Sequence, residues 1–279
     1  MRFCTRKVLW LSATVMTGGL LLAALPEKTR AEDTNPCFTG QGTIKEVLDA
    51  CAAFLASNPT DQDRILKAHS IRAIGLSATG NLDGAIAELD ENIRLDPSKP
   101  NSFFMRAAAY EAKDDHDKAL GDLDEAIRLD ASRGDFYLLR GIIFNHKGDL
   151  DRALTELDQK VKLDPDSTQG YSKRAELLRQ KKDYDRAAAD YGEVIKRDPD
   201  AAKGYVDRGW IYVLKGDLDG AGKDFDTALK IEKVNPGALF GRGVVKSRKG
   251  KPTDGSADMA YAKQLEPDII DEIKKLGVE

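Results

Sequence analysis

The stretch "LLRGIIFNHKGDLDRALTELD", residues 138–158, sets Arg140, His146 and Glu156 close together in the chain. Found once, an arginine, an imidazole and a carboxylate would suggest a catalytic constellation. Found in register many times, they would be parts of a scaffold. The chain answers with a period. Arg followed by a small residue recurs at Arg72-Ala73, Arg106-Ala107, Arg140-Gly141, Arg174-Ala175, Arg208-Gly209 and Arg242-Gly243, each 34 residues after the last. A second small residue keeps the same step at Ala85, Ala119, Ala153, Ala187, Ala221 and then Gly255. Prolines mark the boundaries at Pro97, Pro165, Pro199 and Pro267, with Ala131 and Lys233 in the two remaining slots. An internal repeat of this length specifies stacked supersecondary units rather than one globular core.

Each unit reads as two helices. Counting residue 66 as position 1, helix A covers about positions 1 to 14 and helix B about 18 to 31. Gly148-Asp149 and Gly216-Asp217 fall at the turn between them, where glycine takes a left-handed conformation at no steric cost. "LDP" at 95–97 and 163–165 closes helix B, because proline disfavours helix in the residue before it.

The pattern resembles the tetratricopeptide repeat (TPR) family. Aromatics stand at position 4 (Phe103, Tyr137, Tyr171, Tyr205), at position 11 (Tyr110, Phe144, Tyr212) and at position 24 (Tyr191, Phe225). The resemblance covers six repeats, 66–99, 100–133, 134–167, 168–201, 202–235 and 236–269. It implies an all-α, right-handed superhelical solenoid of antiparallel helix pairs. The sixth repeat departs most, with Lys246 at position 11 and Gly255 at position 20, and reads as a weakened terminal unit. Small residues at positions 8 and 20 let the two backbones approach, and the larger residues fill the space around that contact. The aromatic stripe is therefore expected in the core. Residues 32–65 read as an N-terminal capping segment with an amphipathic helix at 43–57. Residues 270–279 read as a C-terminal capping helix.

The family usually has leucine at position 7, but here all six copies have arginine. Position 23 is acidic in all six: Glu88, Asp122, Glu156, Asp190, Asp224 and Asp258. The two positions lie equally far from the turn, so they should face one another. The expectation is six structural Arg–carboxylate rungs, Arg72 with Glu88, then Arg106, Arg140, Arg174, Arg208 and Arg242 with their own acids.

Catalytic templates find no match. His69, His116 and His146 are widely spaced and form no metal-binding motif. "GLSATG" at 75–80 is not a nucleophile elbow, "FGRGVV" lacks the third glycine of a dinucleotide loop, and "DDHDKALGDLDE" lacks calcium-loop spacing. The reading is a non-enzyme with no metal and no cofactor. The formal net charge of -4 gives no sign of nucleic-acid binding.

The first 31 residues read separately. Arg2, Arg6 and Lys7 precede the uncharged run "VLWLSATVMTGGLLLAAL" (8–25), and Thr29 and Ala31 stand at -3 and -1 of a cut before Glu32. That order is a secretory signal peptide, with a retained membrane anchor as the alternative. Removal of residues 1–31 leaves 38 basic and 46 acidic groups and no membrane segment. Cys37 and Cys51 would then be the two cysteines of an exported, periplasmic protein. A disulfide between them is expected, worth on the order of 3 kcal/mol in the loop-entropy account, with two free thiols as the alternative.

In this family helix A lines the concave face, with positions 2, 5, 9, 12 and 13 pointing into it. Those positions place Phe104, Leu138, Ile142, Val206, Trp210, Val213, Leu214, Phe240 and Val244 in a partner-binding groove for a protein or peptide. A solvent-facing Trp210 would suit a binding hot spot. The alternative is that the neighbouring repeat covers positions 9 and 13. The functional alternatives are an envelope-acting hydrolase or carbohydrate-binding factor, or an anchored assembly factor.

Overall fold

A computed structural model describes residues 34–278, so the expected signal peptide lies outside the described residues. Helix α1 (Pro36–Thr39) and helix α2 (Ile44–Ala56) lead the chain. Six hairpins follow: α3 (Gln62–Ala78) with α4 (Leu82–Leu95), α5 (Pro100–Glu111) with α6 (His116–Leu129), and α7 (Gly134–His146) with α8 (Leu150–Leu163). Then come α9 (Thr168–Gln180) with α10 (Tyr184–Arg197), α11 (Ala202–Lys215) with α12 (Leu218–Ile231), and α13 (Pro236–Arg248) with α14 (Pro252–Leu265). Helix α15 (Ile269–Lys275) ends the array. Every described element is helical. Each A helix packs chiefly on the B helix of its own repeat, and each B helix on the next A helix, so the molecule is a solenoid.

The starts of the first five B helices are fixed locally. Asn81, Asp115, Asp149, Asp183 and Asp217 each accept a hydrogen bond from the backbone N–H three residues on, the usual way an N-cap satisfies an orphaned donor. The residue at position 15, just before the N-cap, is left-handed in every repeat. It is glycine in four repeats, but Asp114 (φ 58°) and Lys182 (φ 61°) adopt the same conformation. The turn geometry therefore outranks the residue's own preference.

Ala85, Ala119, Ala153, Ala187 and Ala221 are fully buried where the two helices touch. In the sixth repeat glycine replaces both small residues. A Cβ added to Gly255 would stand 2.5 Å from the carbonyl oxygen of Gly243, so the backbones meet more closely there than alanine would permit. Lys246 is also paired, with Nζ 2.8 Å from Asp258. The two helices of the sixth hairpin are therefore closely packed.

At the N-terminal end Cys37 and Cys51 form a disulfide and are fully buried in a cluster with Ala68, flanked by Phe38, Phe54 and Ile71. Thr43 and Glu46 close a reciprocal capping box at the start of α2. Arg64 of α3 lies over the Phe38 ring at 4.4 Å, which fastens this cap to the first repeat.

Candidate functional site

Two periodic charge systems run along the solenoid. In the first, Arg106 donates from Nε and Nη2 to the two oxygens of Asp122 at 2.8 and 2.6 Å. Arg174 does the same with Asp190 at 2.8 and 2.7 Å, and Arg208 with Asp224 and Arg242 with Asp258 at 2.8 Å for both bonds. Arg72 and Arg140 meet Glu88 and Glu156 through Nη2 alone, each at 2.9 Å, and their Nε groups are buried without a partner. The longer side chain of glutamate changes the approach and costs the second bond. The second oxygen of Glu88 instead meets Nδ1 of His69 at 2.7 Å. Asp122, Asp190 and Asp224 are buried, and such bidentate, charge-assisted bonds are what allow a carboxylate to remain there.

The arginines also reach backwards. Nη1 of Arg106, Arg140 and Arg174 meets Asp90, Asp124 and Asp158 of the preceding repeat at 2.6, 2.8 and 2.8 Å, and Arg242 meets Asp226 at 3.4 Å. The pairing expected within each repeat thus also joins one repeat to the next. A rim ladder adds to it. Lys147, Lys215 and Lys249 bond to Asp117, Asp185 and Asp219, 30 residues earlier, at 2.7, 2.5 and 2.5 Å. Lys113–Asp83 and Lys181–Asp151 complete the series. Acids at position 25 in four repeats, lysines at position 14 in repeats two to six and aspartates at position 18 in repeats one to five carry this signal with the same 34-residue step.

The A-helix face holds three hollows in succession. The first, of about 200 Å³, is lined by Ala73, Ile74, Ser77, Leu89, Phe104, Met105 and Ala108. Ile74 is 58% exposed beside it, with Phe104 half-buried. The second, of about 100 Å³, lies among Gly141, Ile142, Asn145, His146, Lys173 and Glu176. The third, of about 220 Å³, lies among Glu176, Arg179, Tyr191, Lys203, Asp207, Trp210 and Leu276. Burial pushes the Asp207 carboxyl above its ordinary range, opposed by Lys203 at 2.8 Å. Burial likewise pushes the Tyr191 hydroxyl up.

The expected groove needs correction. Phe104, Ile142, Val206, Leu214 and Val244 are half-buried, but Leu138, Trp210, Val213 and Phe240 are buried. Trp210 is only 3% exposed, edge-on to Phe225 with ring centroids 5.2 Å apart. It belongs to one cluster with Val213, Phe240 and, from the end of the chain, Ile269, Ile273 and Val278. The neighbouring repeat and the chain's own C-terminal segment cover what was expected to face solvent.

The histidines read as widely spaced in sequence come partly together. The rings of His116 and His146 lie 5.8 Å apart, and Glu111 is 3.2 Å from His146. Among the described residues there is no group of three or more histidine, cysteine or acidic side chains placed to hold a metal ion. Nor, among them, is any helix long and apolar enough to cross a membrane.

An array of paired helices with a hollowed A-helix face defines an α-helical repeat solenoid. Tetratricopeptide repeat family models match residues 72–134, 104–168 and 172–245, and the chain belongs to that family. Its members are protein-interaction scaffolds and in general non-catalytic. No curated protein matches the chain by sequence. Among solved structures, YrrB, described as a TPR protein with an unusual peptide-binding site, is 22% identical. It matches over 69% of this chain and 97% of its own, with a TM-score of 0.54. PilF of Pseudomonas aeruginosa is 14% identical over 77% and 98% of the two chains, with a TM-score of 0.63. A tetratricopeptide repeat protein from Parabacteroides merdae is 17% identical over 89% and 97%, with a TM-score of 0.61. At these identities the likeness is one of fold.

Proposed function

We propose that this chain is a non-catalytic scaffold of the cell envelope that binds a protein or peptide along its A-helix face. The observation that carries the reading is the run of hollows on that one face, opening on exposed Ile74 and half-buried Phe104, Met105 and Ile142. Exposed aliphatic and aromatic surface at the bottom of a concavity is where an interface gains most from excluding water. The basic, apolar and small-residue order of residues 1–31 supports export, as does the disulfide between Cys37 and Cys51. In an oxidising compartment that bridge persists without upkeep.

The periodic arginines take no part in binding. Their guanidinium groups are already engaged by carboxylates of their own repeat and, for Arg106, Arg140, Arg174 and Arg242, of the preceding one. Partner choice therefore falls to side chains that differ between repeats, such as Ile74, Phe104, Ile142 and Lys173.

A photo-crosslinking side chain placed at Ile74 or Ile142 should capture a defined partner from the cell envelope. The same probe at Lys162 or Lys196, exposed on helices α8 and α10, should not. Equal capture from both sets of positions would remove the A-helix face as the binding surface.

A further inference from the structure

The charge ladders link residues 16 or 30 apart, but one hydrogen bond spans 97. Nη1 of Arg179, near the end of α9, donates to the backbone carbonyl of Leu276 at 2.8 Å. The segment after the sixth repeat therefore returns across α13 and α11 to the fourth repeat. Helix α15 has only seven residues, too few to be stable alone, and is held by what it buries. Ile269, Ile273 and Val278 are buried in the cluster that contains Trp210, Val213 and Phe240, with Leu276 packed against it. Gly277, at φ 86°, takes the left-handed turn between Leu276 and Val278. Around the same segment Asp271, Glu272, Lys274 and Lys275 remain exposed.

We propose that residues 269–278 are an internal peptide ligand that closes the C-terminal half of the groove. The occupant they hold off is a partner segment of the same chemistry: Leu- or Val-type side chains two residues apart on a backbone whose carbonyl accepts from Arg179. The proposal rests on the A-helix face being a peptide-binding surface. Its grounds are the seated segment itself and the cavity of about 220 Å³ that continues beside Leu276. Arg179 supplies a donor that reads backbone rather than side chain, and Trp210 and its neighbours supply the apolar floor. The N-terminal hollow at Ile74 and Phe104 has no such cover from α15. One groove thus has an open half and a strapped half, and a partner that enters the second must displace the strap.

The test uses the full chain and a fluorescein-labelled peptide with the sequence of residues 269–278, IIDEIKKLGV. Wild type is compared with Leu276→Asp, which puts a charge on the half-buried residue beside Trp210, and far-UV circular dichroism checks that the helices are retained. Affinity for the added peptide should be at least ~10-fold higher in the variant, because a site held mostly closed has its apparent affinity reduced by the closed fraction. Backbone amides of residues 206–215 should also exchange faster with solvent in the variant. Equal affinity together with unchanged exchange overturns the strap while leaving a peptide site on this face. Absence of binding to both proteins overturns the peptide site itself, and α15 is then a cap alone.

Discussion

At the seam between the first and second repeats, Arg106 reaches back to Asp90 at 2.6 Å while holding Asp122 in its own hairpin. At the seam between the fourth and fifth, Arg208 holds Asp224 but finds Gly192 where the acid of the preceding repeat should be. The rim pairs Lys215–Asp185 and Lys249–Asp219 continue past that seam, so the two halves differ in this one missing rung and in the size of their apolar clusters. From Ala202 onward one cluster of buried residues runs through Trp210, Phe225 and Phe240 to Val278, whereas the earlier repeats carry smaller separate clusters. Phe225 is its centre. A Cβ on Gly209 or Gly241 would stand 2.8 or 2.3 Å from the Phe225 ring, so two glycines make the space that this one aromatic fills. A repeat protein can drop one ionic rung and enlarge its apolar core without changing its period.

The largest expected effect breaks the apolar half. Phe225→Ala should cost about 3–5 kcal/mol, because the flanking glycines leave nothing to collapse into the void. Urea denaturation followed by circular dichroism checks it, and a loss under about 1 kcal/mol would mean that the cluster repacks. Breaking the ionic half comes next. Arg174→Ala leaves the buried carboxylate of Asp190 unpaired and should cost about 3 kcal/mol. Arg174→Lys should recover only part of that, since an ammonium cannot make the two-pronged contact. The smallest effect sharpens the comparison by filling the gap. A Cβ on Gly192 would lie 3.7 Å from Nη1 of Arg208, room for a side chain. Gly192→Asp should stabilise by roughly 0.5–1 kcal/mol, from the added ion pair and the lost flexibility of glycine in a helix. A neutral result in thermal unfolding would show that Arg208 gains nothing from a second carboxylate.

The fold was legible because six copies average out the noise of any single segment. Small residues at two positions, aromatics at three and a turn at position 15 leave one arrangement for a hairpin. Opposed placement about that turn also gave the pairing of Arg106 with Asp122. The backward contacts to Asp90 and Asp124, and the rim pairs such as Lys147–Asp117, were written in the sequence at the same period. They join two hairpins, so the symmetry of one hairpin about its own turn does not reveal them. The groove was legible in part. Position within helix A identified Phe104 and Ile142, which are accessible, but also Trp210 and Phe240, which are not. Repeat periodicity says which way a side chain points, while the path of the C-terminal segment, nearly all of it outside the repeats, decides what covers Trp210 and Phe240.

That path alters the polymer physics of the chain. A stack of hairpins with contacts confined to neighbouring units has low contact order, and its ends can fray one unit at a time. The bond from Arg179 to Leu276 closes a loop of about a third of the sequence around the fifth and sixth repeats. It also bridges the seam at which Gly192 omits a rung. Inside that loop the units are tied at both ends, so melting one requires loss of the closure and exposes the others. The loop places the junction that lacks one ionic rung in the interior of a single cooperative block.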